Sequence, residues 1–142
     1  MDNLFQLGEF TLSSGEKTHF KIDCDALVDD DIACIAKLVV DMVGDFEEVI
    51  GVPTGGLRLA RALQKYKVPG CMVLLLVDDV LTTGRNIQEL LTSAPTKDVK
   101  IKGAVIFARG ECPAWVTPVF QLGAGSGKRL IYDDNIYPRK IF

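Results

Sequence analysis

Two adjacent carboxylates followed by small hydroxylated residues form the most chemically distinctive segment of the chain. The segment runs from Val73 to Arg85 and reads VLLLVDDVLTTGR. An apolar strand delivers Asp78 and Asp79 to its end, and a loop containing Thr82 and Thr83 then opens a helix. Loop amides and a helix dipole can surround a phosphate, and carboxylates can accept hydrogen bonds from the vicinal hydroxyls of a ribose. The pattern therefore predicts a site for a phosphorylated sugar.

Piece by piece, the same residues are compatible with an Asp-rich turn in which Thr83 or Asn86 caps a helix. As a whole, the segment resembles the phosphoribosyl pyrophosphate motif of type I phosphoribosyltransferases, a hydrophobic strand followed by two acidic residues and Thr-Thr-Gly. The resemblance implies that Asp78 and Asp79 bind the ribose. It also implies 5'-phosphate binding by five consecutive residues: Thr82, Thr83, Gly84, Arg85 and Asn86.

A Gly-rich turn follows the preceding strand, in the segment VIGVPTGGL from Val49 to Leu57. Glycines permit close approach of the backbone to an anion, although a simple strand-to-helix turn also accounts for this segment alone. Its position relative to the first motif is similar to that of the family's pyrophosphate loop. The resemblance implies an unusual backbone conformation, often a cis peptide, and pyrophosphate binding by Pro53, Thr54, Gly55 and Gly56.

Two further segments resemble orotate phosphoribosyltransferases within this family. Residues 10–15 (FTLSSG) and 20–23 (FKID) are similar to their N-terminal signature, with Lys21 in place of the second aromatic residue. Residues 105–110 (VIFARG) resemble the strand whose Asp-Arg pair ends beside the base, with Ala108 at the Asp position. The resemblance implies base binding by Phe20, Lys21 and Arg109. An Arg fork suits a base carboxylate, but an exposed Arg at a strand end is the competing interpretation.

The resemblance fails between the two anion-binding motifs. Orotate phosphoribosyltransferases carry a long segment there with a mobile basic loop, whereas residues 59–70 connect the helix and the strand almost directly. A basic loop would neutralise charge on departing pyrophosphate and exclude water. Mg²⁺ bound to pyrophosphate can supply part of this stabilisation, and Arg58, Lys65 or Lys21 are candidates for another part. No catalytic residue is assigned.

The elements that must position these residues alternate along the chain. Apolar segments are separated by helical ones, a pattern typical of a parallel sheet with helices on both faces. We predict such an α/β fold with a small N-terminal cap, or hood, built from a hairpin or a strand and turn. The predicted strands are 49–52, 72–77, 99–108, 116–122 and 129–132, and the predicted helices are 57–67 and 86–93.

A first helix should precede this alternation. Its apolar stripe comprises Ile32, Ile35, Ala36, Val39, Val40 and Val43. Asp29 or Asp30 is predicted to cap its first amides, and Gly44 to end it. We draw no domain boundary, so residues 1–142 are expected to form one domain.

Composition excludes several classes of protein. Of 142 residues, 48% are hydrophobic and 25% are charged, as in ordinary globular domains. Sixteen Lys and Arg residues against nineteen Asp and Glu residues give a net charge of −3, which argues against nucleic-acid binding. The four separated cysteines are expected to be buried and reduced, and His19 to lie on the surface. With no signal peptide or membrane span recognisable, we expect a cytoplasmic protein that does not bind a membrane.

Taken together, the sequence favours a protein that binds phosphoribosyl pyrophosphate or a nucleoside monophosphate with Mg²⁺ held through substrate and water. Transfer of ribose 5-phosphate to orotate would release pyrophosphate and yield orotidine 5'-monophosphate. A non-catalytic nucleotide or phosphate sensor and a phosphoribosyltransferase for another base remain alternatives. The family suggests a homodimer. Residues 123–128 are only superficially similar to a P-loop and are expected to form a surface turn.

Overall fold

The computed structural model describes residues 3–11, 15, 17–95 and 97–122. In chain order, the strands and helices are β1 (Phe5–Thr11), β2 (Lys17–Ile22), α1 (Asp29–Val43), β3 (Glu48–Gly51), α2 (Leu57–Leu63), β4 (Val73–Leu81), α3 (Arg85–Ser93), β5 (Lys100–Ala108) and β6 (Val116–Gln121). Strands β1 and β2 form an antiparallel hairpin, as the N-terminal pattern predicts. The other four strands form a parallel sheet in the order β3-β4-β5-β6.

Helices cover both faces of the parallel sheet, which confirms the predicted architecture. Leu75 and Val77 of β4 pack with residues of α1 and α2, whereas Leu74 and Leu76 pack with Ile87 of α3. Successive side chains of a strand point to opposite faces, so a central strand covered on both faces must be apolar nearly throughout. This requirement explains the continuous apolar run that leads to the carboxylates.

Helix α1 is amphipathic as predicted, but its first turn is capped differently. Most of the predicted stripe is buried, and Gly44 ends the helix with a φ of 80°. The main-chain N–H of Val28 donates to the Asp31 carboxylate at 3.0 Å. Asp29 and Asp30 lie within the first turn, so the prediction that one of them is the N-cap was wrong. The acidic residues of this first turn still interact favourably with the positive end of the helix dipole.

Strand β4 is longer than predicted. Pairing with β5 continues past Val77, through Asp78 opposite Val105, to Leu81 opposite Ala108. The two carboxylates therefore lie within the strand, and the loop begins only at Thr82. The other predicted strands and helices of the sheet agree with the structure to within a few residues. The predicted surface turn at 123–128 and the predicted strand at 129–132 lie outside the described residues.

The predicted burial of the cysteines was largely wrong. Cys24 is buried, but Cys34 is exposed and Cys71 and Cys112 are half-buried. Burial is the main cause that raises the pKa of the Cys24 thiol to about 12. His19 is exposed, as predicted. None of the described helices has both the length and the apolar character that crossing a membrane requires.

Candidate functional site

The Gly-rich loop after β3 packs against the carboxyl-terminal part of β4. The Val52 N–H donates to the Val77 carbonyl at 2.8 Å, which ties the start of the Gly-rich loop to β4. A Cβ built on Gly55 would lie 2.6 Å from both carboxylate oxygens of Asp79. Only a residue without a side chain allows this approach. The structure thus brings together the two segments that the sequence predicts to bind the ribose and the pyrophosphate.

The two carboxylates occupy different environments. Asp78 is only 5% exposed, whereas Asp79 is half-buried. The Asp79 N–H donates to Asp78 Oδ1 at 2.8 Å, and the Val80 N–H donates to Asp79 Oδ1 at 2.7 Å. Burial, followed by the charge of Asp79, raises the pKa of Asp78 to about 7. Near neutral pH, Asp78 can therefore donate a hydrogen bond as well as accept one.

The Gly-rich loop presents unpaired main-chain amides. Pro53, Thr54 and Gly55 are exposed, and the peptide bond between Pro53 and Thr54 is cis, as the family resemblance implies. The Gly56 N–H donates to the Val52 carbonyl at 2.7 Å, which closes the turn. Within the described residues, the amides of Thr54 and Gly55 donate to no acceptor. They are free to bind an anion beside Asp79.

A pocket of about 210 Å³ lies at the start of α3. It is lined by Asp78, Val80 and Leu81 of β4 and by residues 82–87. Gly84 precedes the helix with a φ of 83°, a conformation that favours glycine. The Arg85 N–H donates to Thr83 Oγ1 at 3.3 Å.

The first turn of a helix leaves its amides without intrahelical partners. In the part of the chain that the structure describes, the amides of Thr82, Thr83, Gly84 and Asn86 donate to no protein acceptor. With the α3 dipole behind them, these amides form a cradle suited to a phosphate. Thr82 through Asn86, predicted as a phosphate-binding loop, therefore line a single concave surface.

A second pocket, of about 310 Å³, adjoins the first and shares Val80 and Thr82 with it. The hairpin supplies the opposite wall through residues of β1 and β2, and Arg109 lies at the end of β5. The hairpin lining comprises Phe10, Thr11, Lys21 and Ile22. A ligand that occupies both pockets would therefore extend from the phosphate cradle to the hairpin.

The three predicted base-binding residues lie together at this hairpin, but in different roles. Arg109 and Lys21 line the second pocket, whereas Phe20 is not among the lining residues. The Arg109 guanidinium stands 4.0 Å over the Phe20 ring, and it donates to the Phe20 carbonyl at 3.2 Å. It also donates to Thr18 Oγ1 at 2.7 Å. Thr18 gave no chemical signal in the sequence beyond its place in an alternating strand.

Two of the three candidate cations, Arg58 and Lys65, contact other groups of the protein. Arg58 donates to the Leu27 carbonyl at 2.8 Å and pairs with Asp29 at 3.3 Å. The Lys65 ammonium lies 5.3 Å from the centre of the Tyr66 ring. After α2, a single 3₁₀ turn, Gln64–Tyr66, and a short connection lead into β4, as the sequence predicts.

The fold has close counterparts among solved structures. Orotate phosphoribosyltransferase from Aeropyrum pernix superimposes with a TM-score of 0.68 at 25% identity, over 83% of this chain and 88% of that one. The enzyme from Mycobacterium tuberculosis gives 0.62 at 20% identity, over 83% and 89%. A phosphoribosyltransferase from Corynebacterium diphtheriae gives 0.60 at 14%, over 74% and 84%. The chain has the type I phosphoribosyltransferase fold.

The likeness lies in structure more than in sequence. Neither the family models nor the curated proteins give a match to this sequence. The type I phosphoribosyltransferase fold here comprises the four-stranded parallel sheet, its helices and the N-terminal hairpin. Within this fold, both pockets and the Gly-rich loop lie at the carboxyl edge of the sheet, where α/β proteins bind ligands.

Proposed function

We propose that the protein binds phosphoribosyl pyrophosphate and transfers its ribose 5-phosphate to orotate, with release of pyrophosphate. The observation that carries this proposal is the contact of the Asp79 carboxylate with Gly55 beside a loop of unpaired amides. A sugar with an anionic group at each end needs a hydroxyl acceptor between two anion sites. The carboxyl edge of β3 and β4 offers this arrangement.

Each part of the substrate has a matching group of residues in this proposal. The amides of Thr82, Thr83, Gly84 and Asn86 receive the 5'-phosphate in the first pocket, and the Thr83 hydroxyl lies within the same loop. Asp78 and Asp79 bind the two ribose hydroxyls. Pro53, Thr54, Gly55 and Gly56 hold the pyrophosphate through the exposed amides of Thr54 and Gly55.

The base occupies the second pocket, against the wall formed by the hairpin and Arg109. The two pockets share Val80 and Thr82, so one nucleotide can fill both. Phe20, Lys21 and Arg109 are the predicted base-binding residues, and two of them line this wall directly. A cationic wall favours a base with an anionic substituent, as orotate has.

Mg²⁺ fits this site as an ion carried by the substrate. The described residues contain no group of three or more side chains placed to hold a metal ion, but they offer the carboxylate pair at residues 78 and 79. Such a site suits an ion bound by the pyrophosphate and water, with Asp79 as the nearest carboxylate to the pyrophosphate loop. Bound in this way, Mg²⁺ would neutralise charge on the leaving group.

In the transfer, the bond between ribose C1 and a pyrophosphate oxygen breaks, and a bond from the orotate nitrogen to C1 forms. The proton on that nitrogen leaves as the bond forms, to water or to the departing pyrophosphate, and we assign no general base to the chain. Positive charge develops on the ribose, near the two carboxylates, while negative charge collects on pyrophosphate. The short connection after α2 places no basic loop over the pyrophosphate, so we expect slow turnover.

The same short connection favours a second candidate, a non-catalytic nucleotide or phosphate sensor. A sensor needs the phosphate cradle and the ribose carboxylates, but not charge neutralisation on a leaving group. A phosphoribosyltransferase for a different base is the remaining alternative within the enzyme class. We further propose a homodimer, in which a second copy could supply basic residues to the site.

Pyrophosphate release tests these candidates directly. The protein is incubated with phosphoribosyl pyrophosphate, Mg²⁺ and each of orotate, uracil, adenine, guanine and hypoxanthine, with an Asp79→Asn variant as the control. Slow release that depends on orotate and on Asp79 supports the proposal, whereas release with another base alone reassigns the substrate. Binding without release for any base favours the sensor. Specific activity that rises with protein concentration supports the shared site in a dimer.

A further inference from the structure

The Arg109 guanidinium is hydrogen-bonded to the N-terminal hairpin. Its Nη2 donates to Thr18 Oγ1 at 2.7 Å, its Nη1 donates to the Phe20 carbonyl at 3.2 Å, and its plane covers the Phe20 ring. Thr18 lies 91 residues earlier in the chain, so these contacts tie the hairpin to the end of β5. A forked donor that is bonded and stacked in this way has little freedom to turn toward a ligand.

This tie sets the width of the second pocket. The hairpin supplies one wall through Phe10, Thr11, Lys21 and Ile22, and the sheet supplies the other through Val80 and Thr82. Arg109 bridges the two walls. The edge-on contact of Phe5 with Phe107, at 5.9 Å between ring centres, holds the hairpin to β5 at a second point. Movement of the hairpin would open the pocket without altering the phosphate cradle.

Lys21 is the other cation of the pocket lining. It is exposed, and within the described residues its ammonium makes no ion pair and donates no hydrogen bond. Arg58 and Lys67, by contrast, pair with Asp29 and Glu48. A lysine side chain is long and flexible, so an unpaired ammonium on a pocket wall can reach an anionic substituent of a bound ligand.

We propose that Arg109 is a positioning residue that holds the hairpin as the outer wall of the base pocket, and that Lys21 selects a base with an anionic substituent. This inference rests on the proposed function, because it assumes that a nucleotide fills both pockets. It departs from the expectation that the Arg109 fork binds the base carboxylate. Arg109 would then shape the pocket through its contacts with Thr18 and Phe20, and Lys21 would attract the anionic substituent of the base through its charge.

Two nucleotides separate base recognition from the rest of the site. Orotidine and uridine 5'-monophosphates differ by a single carboxylate on the base, so the ratio of their dissociation constants, measured by calorimetry, reports recognition of that group. We expect the parent to prefer the orotidine nucleotide and Lys21→Gln to reduce that preference about ten-fold. Lys17→Gln is the matched control, because Lys17 lies on the same strand outside the pocket lining and should keep the preference.

An unchanged preference in Lys21→Gln would overturn the role of Lys21. Equal binding of the two nucleotides by the parent would also overturn it, while leaving the ribose and phosphate sites of the proposed function standing. If the parent binds neither nucleotide and no ribose 5-phosphate, the proposed function itself fails.

The positioning role of Arg109 is tested at Thr18, which does not line the pocket. Thr18→Val removes the acceptor of the 2.7 Å hydrogen bond, and Thr18→Ser keeps a hydroxyl. We expect Thr18→Val to speed amide hydrogen exchange across β1 and β2 and to weaken both nucleotides about ten-fold, with ribose 5-phosphate unaffected. Thr18→Ser should restore both properties.

Hydrogen exchange needs no ligand, so the contact of Arg109 with the hairpin can be tested even if no nucleotide binds. Unchanged exchange and unchanged affinity in Thr18→Val would overturn the positioning role. Tighter binding of the orotidine nucleotide in that variant would also overturn it, because it would mean that the released guanidinium binds the carboxylate directly.

Discussion

The carboxylate of Asp79 lies directly against Gly55, so that a Cβ on Gly55 would stand 2.6 Å from both carboxylate oxygens. Gly55 belongs to the loop that follows β3, and Asp79 lies near the carboxyl end of the adjacent parallel strand β4. Parallel strands place their carboxyl ends at one edge of a sheet, and this edge is where α/β folds bind ligands. The contact therefore joins the ribose carboxylates and the pyrophosphate loop into one proposed site.

Replacement of Gly55 by Ala should disturb this contact. The added methyl group must displace either the loop or the Asp79 carboxylate, since no Cβ fits at 2.6 Å. Forced overpacking of this kind costs about 1–3 kcal/mol in the free energy of unfolding. We expect a lower thermal midpoint and weaker binding of phosphoribosyl pyrophosphate, both measurable by calorimetry.

A double-mutant cycle controls for loss of the glycine itself. In an Asp79→Ala background the methyl group of Gly55→Ala meets no carboxylate, so the loss of unfolding free energy should shrink. An equal loss in both backgrounds would show that the glycine is needed for another reason.

Asp78 should make the stability of the protein fall as the pH rises toward neutrality. Its pKa is raised from 3.8 to about 7 in the folded state. Between these two values the native state binds more protons than the unfolded chain, so the contribution of Asp78 is full at low pH and is lost through pH 7. Asp78→Asn should therefore gain unfolding free energy relative to the parent as the pH rises across this interval.

Chemical denaturation at several pH values measures this difference. Asp41→Asn is the control, because Asp41 is an exposed residue of α1 far from the site in sequence. Its difference from the parent should vary less with pH than that of Asp78→Asn. A constant difference for Asp78→Asn from about pH 4 to pH 8 would contradict the raised pKa.

The loop before α3 should bind inorganic phosphate weakly and ribose 5-phosphate more tightly. Either ligand should then raise the thermal midpoint in proportion to the logarithm of its concentration. Thr83→Val removes the hydroxyl that accepts the Arg85 N–H, so it should loosen the loop and reduce the shift. Thr92→Val is the matched control, since the Thr92 hydroxyl lies later in the same helix and donates a hydrogen bond to the Gln88 carbonyl. Equal shifts in both variants would argue against a phosphate site in this loop.

Most of the fold can be predicted from the sequence, because hydrophobic periodicity and turn residues act over short stretches of the chain. The apolar run before Asp78 indicates a strand buried on both faces of a sheet, and the apolar stripe of α1 indicates a helix buried on one face. The sheet, the helices and their order therefore follow from hydrophobic periodicity. Gly44 ends α1 for the same local reason, its positive φ. The end of β4 was missed because pairing with β5, not the composition of the segment, decides how far the strand continues.

In the candidate site, too, local patterns predict some features and miss those that depend on tertiary contacts. Residues 78–86 and 53–56 are recognisable because each group is contiguous, although no pattern shows that Asp79 would touch Gly55. The partners of Arg109 lie about ninety residues away and are a hydroxyl and a main-chain carbonyl, neither of which marks a site in a sequence. Such contacts depend on tertiary packing. For that reason the sequence predicts a free Arg109 fork, whereas the structure holds it against the hairpin.

We propose above all that the carboxyl edge of β3 and β4 binds phosphoribosyl pyrophosphate. Calorimetric titration of phosphoribosyl pyrophosphate with Mg²⁺ into the parent and into the double variant Asp78→Asn, Asp79→Asn tests it most directly. We expect one site per chain in the parent, tighter with Mg²⁺ than without, and loss of binding in a double variant that keeps its fold by circular dichroism. Equal affinity in the parent and the double variant, or no binding by the parent at all, would contradict it.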